Sequence, residues 1–214
     1  MIRWIKRAFV VIILLFLGLG VWRLSQGGLT YPTGTVLVVL DPGHGGSAPG
    51  AVYDGVMEKD LNLAVALKVK ALLEAQTDME VLMTRERDED MTLEARAALS
   101  NEKGADLFVS VHANALEDDT SCHGILTFYH GHEQDGDRLA AAVQRGVTTQ
   151  TGGKDLGIRE EDFAVIRLAK APACLLEMGF MTNAEELDAL VEEAYQDKIA
   201  QGICDGILDY LAHK

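Results

Sequence analysis

Two histidines and one glutamate lie at positions in this 214-residue chain that suit a metal site. His44 follows a β-branched run within a segment rich in glycine and proline, and His112 closes a second apolar run of strand length. Glu58 stands directly before a segment with the apolar spacing of a helix. Two imidazoles and a carboxylate from separate elements form the open ligand set of a catalytic zinc ion, whose fourth position takes water. The sequence therefore predicts one Zn²⁺ ion held by His44, Glu58 and His112.

Each of these three residues also has a simpler structural explanation. His44 could be a turn histidine bonded to the backbone, although the glycines around it favour close approach of the backbone to a ligand. Glu58 could be a carboxylate that only stabilises the positive end of the helix dipole. His112 ends an apolar run, where burying an imidazole without a hydrogen-bond partner costs free energy. The metal interpretation is favoured because all three residues fall where an α/β fold gathers its ligands.

Glu177 is the candidate catalytic residue, since it ends another apolar run. A carboxylate at the carboxyl edge of the sheet could take a proton from metal-bound water and pass it to a leaving amine. The structural alternative is an ion pair with a nearby Arg or Lys. Arg159 and Arg167 flank a predicted strand close to Glu177, where they serve either as surface charges or as contacts for an acidic substrate.

The remaining histidines and the cysteines indicate little chemistry. His130 and His132 have a spacing that could hold a second metal ion, but a strand end followed by glycine and acids is usually surface. The sequence contains no CxxC pair, which disfavours a structural zinc site. One disulfide is compatible with export, but small buried apolar residues are the simpler interpretation of the three cysteines, Cys122, Cys174 and Cys204.

Strand-like and helix-like segments alternate along the chain, which predicts an α/β fold with a mostly parallel twisted sheet and helices on both faces. Thr92 is a plausible N-cap, and Asn183 with Glu186 resembles a capping box. The predicted strands span 35–40, 80–84, 107–112, 124–129, 163–167 and 173–177. The predicted helices span 59–75, 92–103, 134–149 and 194–211, with one more that starts after residue 183.

Three of the first seven residues are basic, and an unbroken run of apolar residues and glycines follows over 8–22. This pattern is typical of an export signal whose positive end stays in the cytoplasm. No small-residue cleavage site follows, so residues 1–24 are predicted to be a membrane anchor, with a cleaved signal peptide as the alternative. A glycine-containing linker over 25–34 precedes a single catalytic domain over 35–214.

Charge excludes one broad class of partner. The chain carries a net charge of −14, and its four most N-terminal bases lie within the first 23 residues, where there is no acid. The remaining residues therefore carry a net charge of about −18, which repels nucleic acids and anionic lipid surfaces. We expect no nucleic-acid partner.

Five sequence blocks, in order from about residue 36 to 211, resemble the zinc-dependent N-acetylmuramoyl-L-alanine amidases. Any one block is weakly specific, but five in register are a strong signal. The blocks are Asp41-Pro42-Gly43-His44-Gly45-Gly46, Glu58-Lys59-Asp60-x-Asn62-Leu63, Thr84-Arg85, Ser110-Val111-His112-Ala113-Asn114, and Leu176-Glu177-Met178-Gly179-Phe180 with Thr182-Asn183.

The resemblance implies hydrolysis of the bond between muramic acid and L-alanine in peptidoglycan, at the outer face of a bacterial membrane. It implies His44, Glu58 and His112 as zinc ligands, Glu177 as the catalytic carboxylate, and structural roles for Arg85 and Arg96. The sequence shows neither an inserted helix that could plug the site nor a wall-binding module, so membrane tethering or a protein regulator is expected to restrain activity. The alternatives are another zinc hydrolase on the same scaffold, such as a peptidase or deacetylase, and an inactive wall-binding module.

Overall fold

A six-stranded sheet forms the centre of the part of the chain that the computed structural model describes, residues 35–131 and 135–214. Its strands are β1 (Leu37–Pro42), β4 (Glu80–Met83), β5 (Leu107–Asn114), β6 (Ile125–Tyr129), β7 (Asp155–Glu160) and β8 (Ala173–Phe180). A separate hairpin pairs β2 (Val52–Tyr53) with β3 (Val56–Met57). The helices are α1 (Glu58–Gln76), α2 (Leu93–Lys103), α3 (Gly136–Thr151), α4 (Ala164–Arg167), α5 (Ala184–Val191) and α6 (Glu193–Ala212).

The strand order is β4-β1-β5-β8-β6-β7. The first four strands run parallel to one another, whereas β6 pairs antiparallel with β8 and parallel with β7. The predicted mostly parallel α/β sheet is therefore confirmed. The carboxyl ends of β1, β5 and β8 meet at one edge, which is where ligands bind in such folds.

Helices cover both faces of the sheet, as the sequence predicts. The larger core lies between the sheet and helices α1, α3, α5 and α6, and residues such as Val65, Val143 and Ile203 are fully buried there. A smaller core on the other face joins Phe108 to Ile166 of α4, and α2 packs beside α4. The continuous burial of Val38, Val39 and Leu40 follows from this two-sided cover.

The predicted strand over 163–167 is wrong, because these residues form the short helix α4. Val165 and Ile166 are both buried, and a run of four apolar residues (163–166) does not distinguish a helical turn from a strand. The real strand, β7, was missed. It is an edge strand whose residues are mostly exposed, so it lacks an apolar pattern.

Some predictions fall outside the described residues: the membrane anchor over 1–24, the linker over 25–34, and His132 as half of a second metal site. A search of the described helices finds no segment with the length and hydropathy needed to cross a bilayer. All described residues belong to one compact unit.

Candidate metal centre

The three predicted ligands come from three different elements. His44 lies in the loop after β1, Glu58 is the first residue of α1, and His112 lies in β5. Two element boundaries near these ligands differ from the predicted ones by one or two residues. Glu58 begins its helix instead of preceding it, and β5 continues past His112 to Asn114.

The fold brings these three side chains into one cluster. One ligand atom from each residue lies within 4.8 Å of the others. Glu58 stands between the two imidazoles, with Oε2 3.1 Å from His44 Nε2 and Oε1 2.8 Å from His112 Nδ1. A zinc ion with metal–ligand distances of about 2.0–2.2 Å holds its ligand atoms roughly 3.3 Å apart. The donor types and their clustering within 4.8 Å therefore fit a metal ion of the zinc type.

Two glycines allow the cluster to be this tight. A Cβ atom at Gly43 would overlap the ring of His112, and one at Gly50 would overlap the carboxylate of Glu58. Gly50 also has a φ of 71°, a conformation that L side chains rarely adopt. The glycines in the loop after β1 therefore allow the backbone to approach the ligand side chains closely.

Glu58 is buried and held as a carboxylate. Its oxygens accept hydrogen bonds from the backbone amides of Ala51 (3.0 Å) and Ala113 (3.3 Å) and from Asn62 Nδ2 (3.1 Å). Burial acts to raise the pKa of Glu58, but the hydrogen bonds from His112 and His44 outweigh it and hold the pKa well below its usual value. The carboxylate is therefore ionised at neutral pH, as a metal ligand must be.

Asn62 also belongs to this site, although the sequence pattern alone assigns it no role. It is fully buried, and Nδ2 also donates to the carbonyl of Gly43 at 3.2 Å. The signal was present, because Asn62 follows Glu58 by four residues and therefore shares its face of α1.

Glu177 lies beside His112 on the neighbouring strand. The two residues are register partners in the parallel pair β5–β8, so their side chains share one face of the sheet. Within the described part of the chain, Glu177 Oε2 is buried and has no hydrogen-bond partner. Burial, and then the negative charge of Glu58, raises the pKa of Glu177 well above its usual value. A half-buried carboxylate with a raised pKa beside a metal-type cluster suits proton transfer.

The loop over 115–124, which follows β5, is fastened to the segment after β8. Thr182 Oγ1 accepts from the amide of Leu116 at 3.2 Å, Asn183 Nδ2 donates to Thr120 O at 3.1 Å, and Glu186 Oε1 accepts from the amide of Gly124 at 2.8 Å. At the end of β5, Asn114 Oδ1 accepts from the amide of Ala115 at 2.8 Å. The two strands that carry His112 and Glu177 are thus linked beyond their ends.

The other candidates lie elsewhere. Arg159 is paired with Phe128, level with Leu175 toward the start of β8, and Arg167 forms an ion pair with Asp162 at 2.7 Å. The cysteines are all free, with Cys174 and Cys204 buried and Cys122 half-buried, as expected for small apolar residues.

A comparison with family models matches residues 38–209 to Amidase_3, described as N-acetylmuramoyl-L-alanine amidase. The germination-specific N-acetylmuramoyl-L-alanine amidase of Bacillus subtilis (strain 168) is 31% identical over 235 residues, covering 100% of this chain and 96% of that protein. The N-acetylmuramoyl-L-alanine amidase LytC of the same organism is 37% identical, and its alignment covers 81% of this chain but only 35% of LytC. This chain therefore spans about a third of LytC's length.

Solved structures agree with this result. The N-acetylmuramoyl-L-alanine amidase from Clostridium difficile 630 superposes with a TM-score of 0.82 at 39% identity, covering 84% of this chain and 98% of that one. The CwlD amidase from Clostridioides difficile, solved in complex with the GerS lipoprotein, superposes with a TM-score of 0.80 at 31% identity, covering 84% of this chain and 100% of that one.

Proposed function

This chain belongs to the N-acetylmuramoyl-L-alanine amidase family, and on that premise we propose that it hydrolyses the amide bond between N-acetylmuramic acid and L-alanine in peptidoglycan with one zinc ion. The ligands are His44, Glu58 and His112, and the catalytic carboxylate is Glu177. The observation that carries the proposal is the clustering of three ligand atoms within 4.8 Å beside Glu177, whose Oε2 is buried and has no hydrogen-bond partner among the described residues.

The protein groups divide the chemistry between them. When bound, the zinc ion lowers the pKa of a coordinated water and polarises the scissile carbonyl. His44, Glu58 and His112 hold the ion, and the amide and Asn62 contacts to Glu58 fix the direction of its oxygens. Glu177 takes the proton of the attacking water and delivers it to the nitrogen of L-alanine as the amide bond breaks.

The raised pKa of Glu177 fits this role. In the metal-free protein, burial and the charge of Glu58 both favour the protonated form. A cation bound at Glu58 offsets that negative charge and thereby moves the pKa of Glu177 down. Glu177 can then release and regain a proton, as a group that acts first as a base and then as an acid requires.

Digestion of purified peptidoglycan tests the activity. The full-length chain, solubilised in mild detergent, is incubated with the wall with zinc or with a chelator, and the products are read by mass spectrometry. We expect intact stem peptides with an L-alanine amino terminus, formed only with zinc. Released acetate or shortened stem peptides would instead indicate a deacetylase or a peptidase, and no product at all would indicate an inactive wall-binding module.

The proposed ligand set has its own test. His112→Ala should lose bound zinc, whereas the matched variant His123→Ala should retain it, because His123 is exposed and its ring hydrogen-bonds to the backbone carbonyl of Ser121, away from the cluster of His44, Glu58 and His112. Full zinc occupancy in His112→Ala, measured by elemental analysis, would remove His112 from the site.

We propose that residues 1–24 anchor the enzyme at the outer face of the cell membrane. The basic start followed by an apolar run supports this. Cell fractionation of a C-terminally tagged full-length chain should place it with membranes. Deletion of residues 2–24 should abolish export, and a shortened mature chain in the medium would show a cleaved signal instead.

We also propose that a protein partner regulates the enzyme, supported by the structure of the CwlD amidase in complex with the GerS lipoprotein. Affinity purification of the tagged chain from its native membranes should recover a partner that changes the rate of wall digestion. An unchanged rate on addition of every recovered protein would contradict this proposal.

A further inference from the structure

Three consecutive backbone carbonyls in the His44 loop are held by arginine side chains. Arg85 Nε donates to Pro42 O at 2.9 Å and Arg85 Nη2 to Gly43 O at 2.8 Å. Arg96 donates to Pro42 O at 2.8 Å from Nη1 and to His44 O at 2.6 Å from Nη2. Both arginines are almost completely buried, with exposed fractions of 2% and 3%. Hydrogen bonds from two buried guanidinium groups therefore hold the backbone at His44 in place.

Arg85 makes one further contact that joins two ligands. Its Nη2 atom also donates to Lys59 O at 2.8 Å, and Lys59 directly follows Glu58. One guanidinium nitrogen thus bridges the residue before His44 and the residue after Glu58. The planar fork of arginine is suited to hold two such segments at a fixed separation.

The two arginines differ in what balances their charge. Arg96 forms a buried ion pair with Asp41 at 2.8 Å, and Asp41 also accepts from Thr84 and Ser110. Among the described residues, the four hydrogen bonds of the Arg85 guanidinium all go to backbone carbonyls. Arg85 therefore has no hydrogen-bonded carboxylate among the described residues, and only the more distant charges of Asp41, Asp60 and Asp88 offset the cost of burying its guanidinium.

His44 itself is in an unfavourable backbone conformation. Its φ is 59°, in the left-handed region that a residue with a Cβ adopts only when its surroundings impose it. The carbonyls that Arg85 and Arg96 hold belong to His44 and the two residues before it, so these bonds oppose relaxation of the loop.

We infer that Arg85 is a positioning residue that sets the separation of the His44 and Glu58 backbones before the metal binds. It does not touch the metal or the substrate. It preorganises two of the three ligands, so its loss weakens metal binding by more than its effect on folding explains. This inference rests on the proposed function for the identity of the metal, but the preorganisation itself belongs to the metal-free protein.

The test uses the full-length chain in detergent with Arg85→Lys and Arg85→Met. Lysine keeps the charge but cannot bridge both carbonyls with a planar fork, and methionine removes the donors. Arg87→Lys is the matched control, because Arg87 is exposed and pairs with Glu89. Val143→Ala, at a fully buried core position of α3, controls for a general loss of stability.

Two readouts are measured besides activity. The first is the dissociation constant of Zn²⁺, by competition with a chromophoric chelator. We expect it to rise about 10- to 100-fold in Arg85→Lys, as for other residues that orient metal ligands, and to stay unchanged in Arg87→Lys and Val143→Ala. The second is hydrogen exchange in the metal-free protein. Peptides that cover 43–48 and 58–59 should exchange faster in Arg85→Lys, whereas peptides from β8 and α6 should not.

The outcomes separate this inference from the proposed function. If the unmodified chain binds no zinc, the proposed function fails, and hydrogen exchange alone decides the role of Arg85. If the unmodified chain binds zinc, and Arg85→Lys binds it equally tightly with unchanged exchange over 43–48 and 58–59, only the inference is overturned. If Arg85→Met does not fold, Arg85→Lys decides by the same two readouts. A zinc affinity in Val143→Ala that falls as far as in Arg85→Lys would assign the effect to stability.

Discussion

At the scale of single residues, Glu177 differs from Glu58, the other carboxylate of the site, in what surrounds it. Glu58 has hydrogen-bond donors for both oxygens, whereas Glu177 Oε2 is buried without a partner among the described residues. The two carboxylates are consequently driven in opposite directions, with the pKa of Glu58 lowered and that of Glu177 raised. One is suited to hold a cation and the other to exchange a proton.

The first prediction concerns turnover. Glu177→Gln keeps the size of the side chain and removes the base, so zinc content should be unchanged while kcat falls by about 10²- to 10⁴-fold. The measurement is release of stem peptides from peptidoglycan, with zinc content determined on the same sample. Undiminished kcat at full zinc occupancy would exclude Glu177 as the proton carrier.

The second prediction concerns pH and stability in the metal-free protein. Because folding raises the pKa of Glu177, its contribution is fully present below its unfolded pKa and is lost as pH rises through the folded pKa. Glu177→Gln has no such loss. The variant should therefore match the unmodified protein near pH 4 and exceed it at pH 7, with a gap that grows by up to about 1.4 kcal/mol per pH unit. Denaturant unfolding with chelator present measures this, and a pH-independent gap would contradict it.

At the scale of elements, the start of α5 departs from the capping box that its sequence suggests. Asn183 does cap the helix, with its side chain accepting from the amide of Glu186 at 3.1 Å. The reciprocal bond is not made, because the Glu186 carboxylate accepts from Gly124 and Phe180 instead. The helix start is thereby used to join the segments that follow β5 and β8.

The third prediction follows from this use of Glu186. Glu186→Ala leaves two amide donors without their charged acceptor and should lower the free energy of unfolding by about 1.5–3 kcal/mol. Glu185→Ala is the matched control, since Glu185 is exposed in the same helical turn, and it should change stability by less than about 0.5 kcal/mol. Equal losses of stability from the two substitutions would mean that negative charge at the helix start, and not the hydrogen bonds of Glu186, provides the stabilisation.

At the scale of the whole molecule, the metal site connects three elements that lie far apart along the sequence. His44, Glu58 and His112 come from the loop after β1, from α1 and from β5, so a bound ion would cross-link one side of the sheet. Any ligand that binds the folded state alone stabilises that state by mass action.

The fourth prediction is a metal-dependent melting temperature. Zinc at 100 times its dissociation constant should add about 2.7 kcal/mol, which corresponds to a rise of roughly 5–10 °C for a domain of this size. Differential scanning calorimetry with zinc and with chelator measures the shift. His112→Ala should show almost none of it, and an equal shift in that variant would place the stabilising ion elsewhere.

Local patterns in the sequence account for most elements. The buried strands β1, β5 and β8 and the long helices α1, α3 and α6 have apolar patterns that reflect burial, and Thr92 caps α2 as predicted. The pattern fails where burial is slight or short, as in the exposed edge strand β7 and the four-residue helix α4. Periodicity reports contact with the core, so an element with little core contact leaves almost no trace in it.

The sequence by itself determined the chemical types available, two imidazoles and two carboxylates next to strand and helix boundaries, and the family blocks that contain them. Only the tertiary structure decided that His44, Glu58 and His112 converge, that Glu177 pairs in register with His112, and that Arg85 bridges the backbones of two ligand segments. The physical reason is that residues far apart along the chain meet only through strand order and register, which depend on the packing of the whole sheet and not on any local stretch.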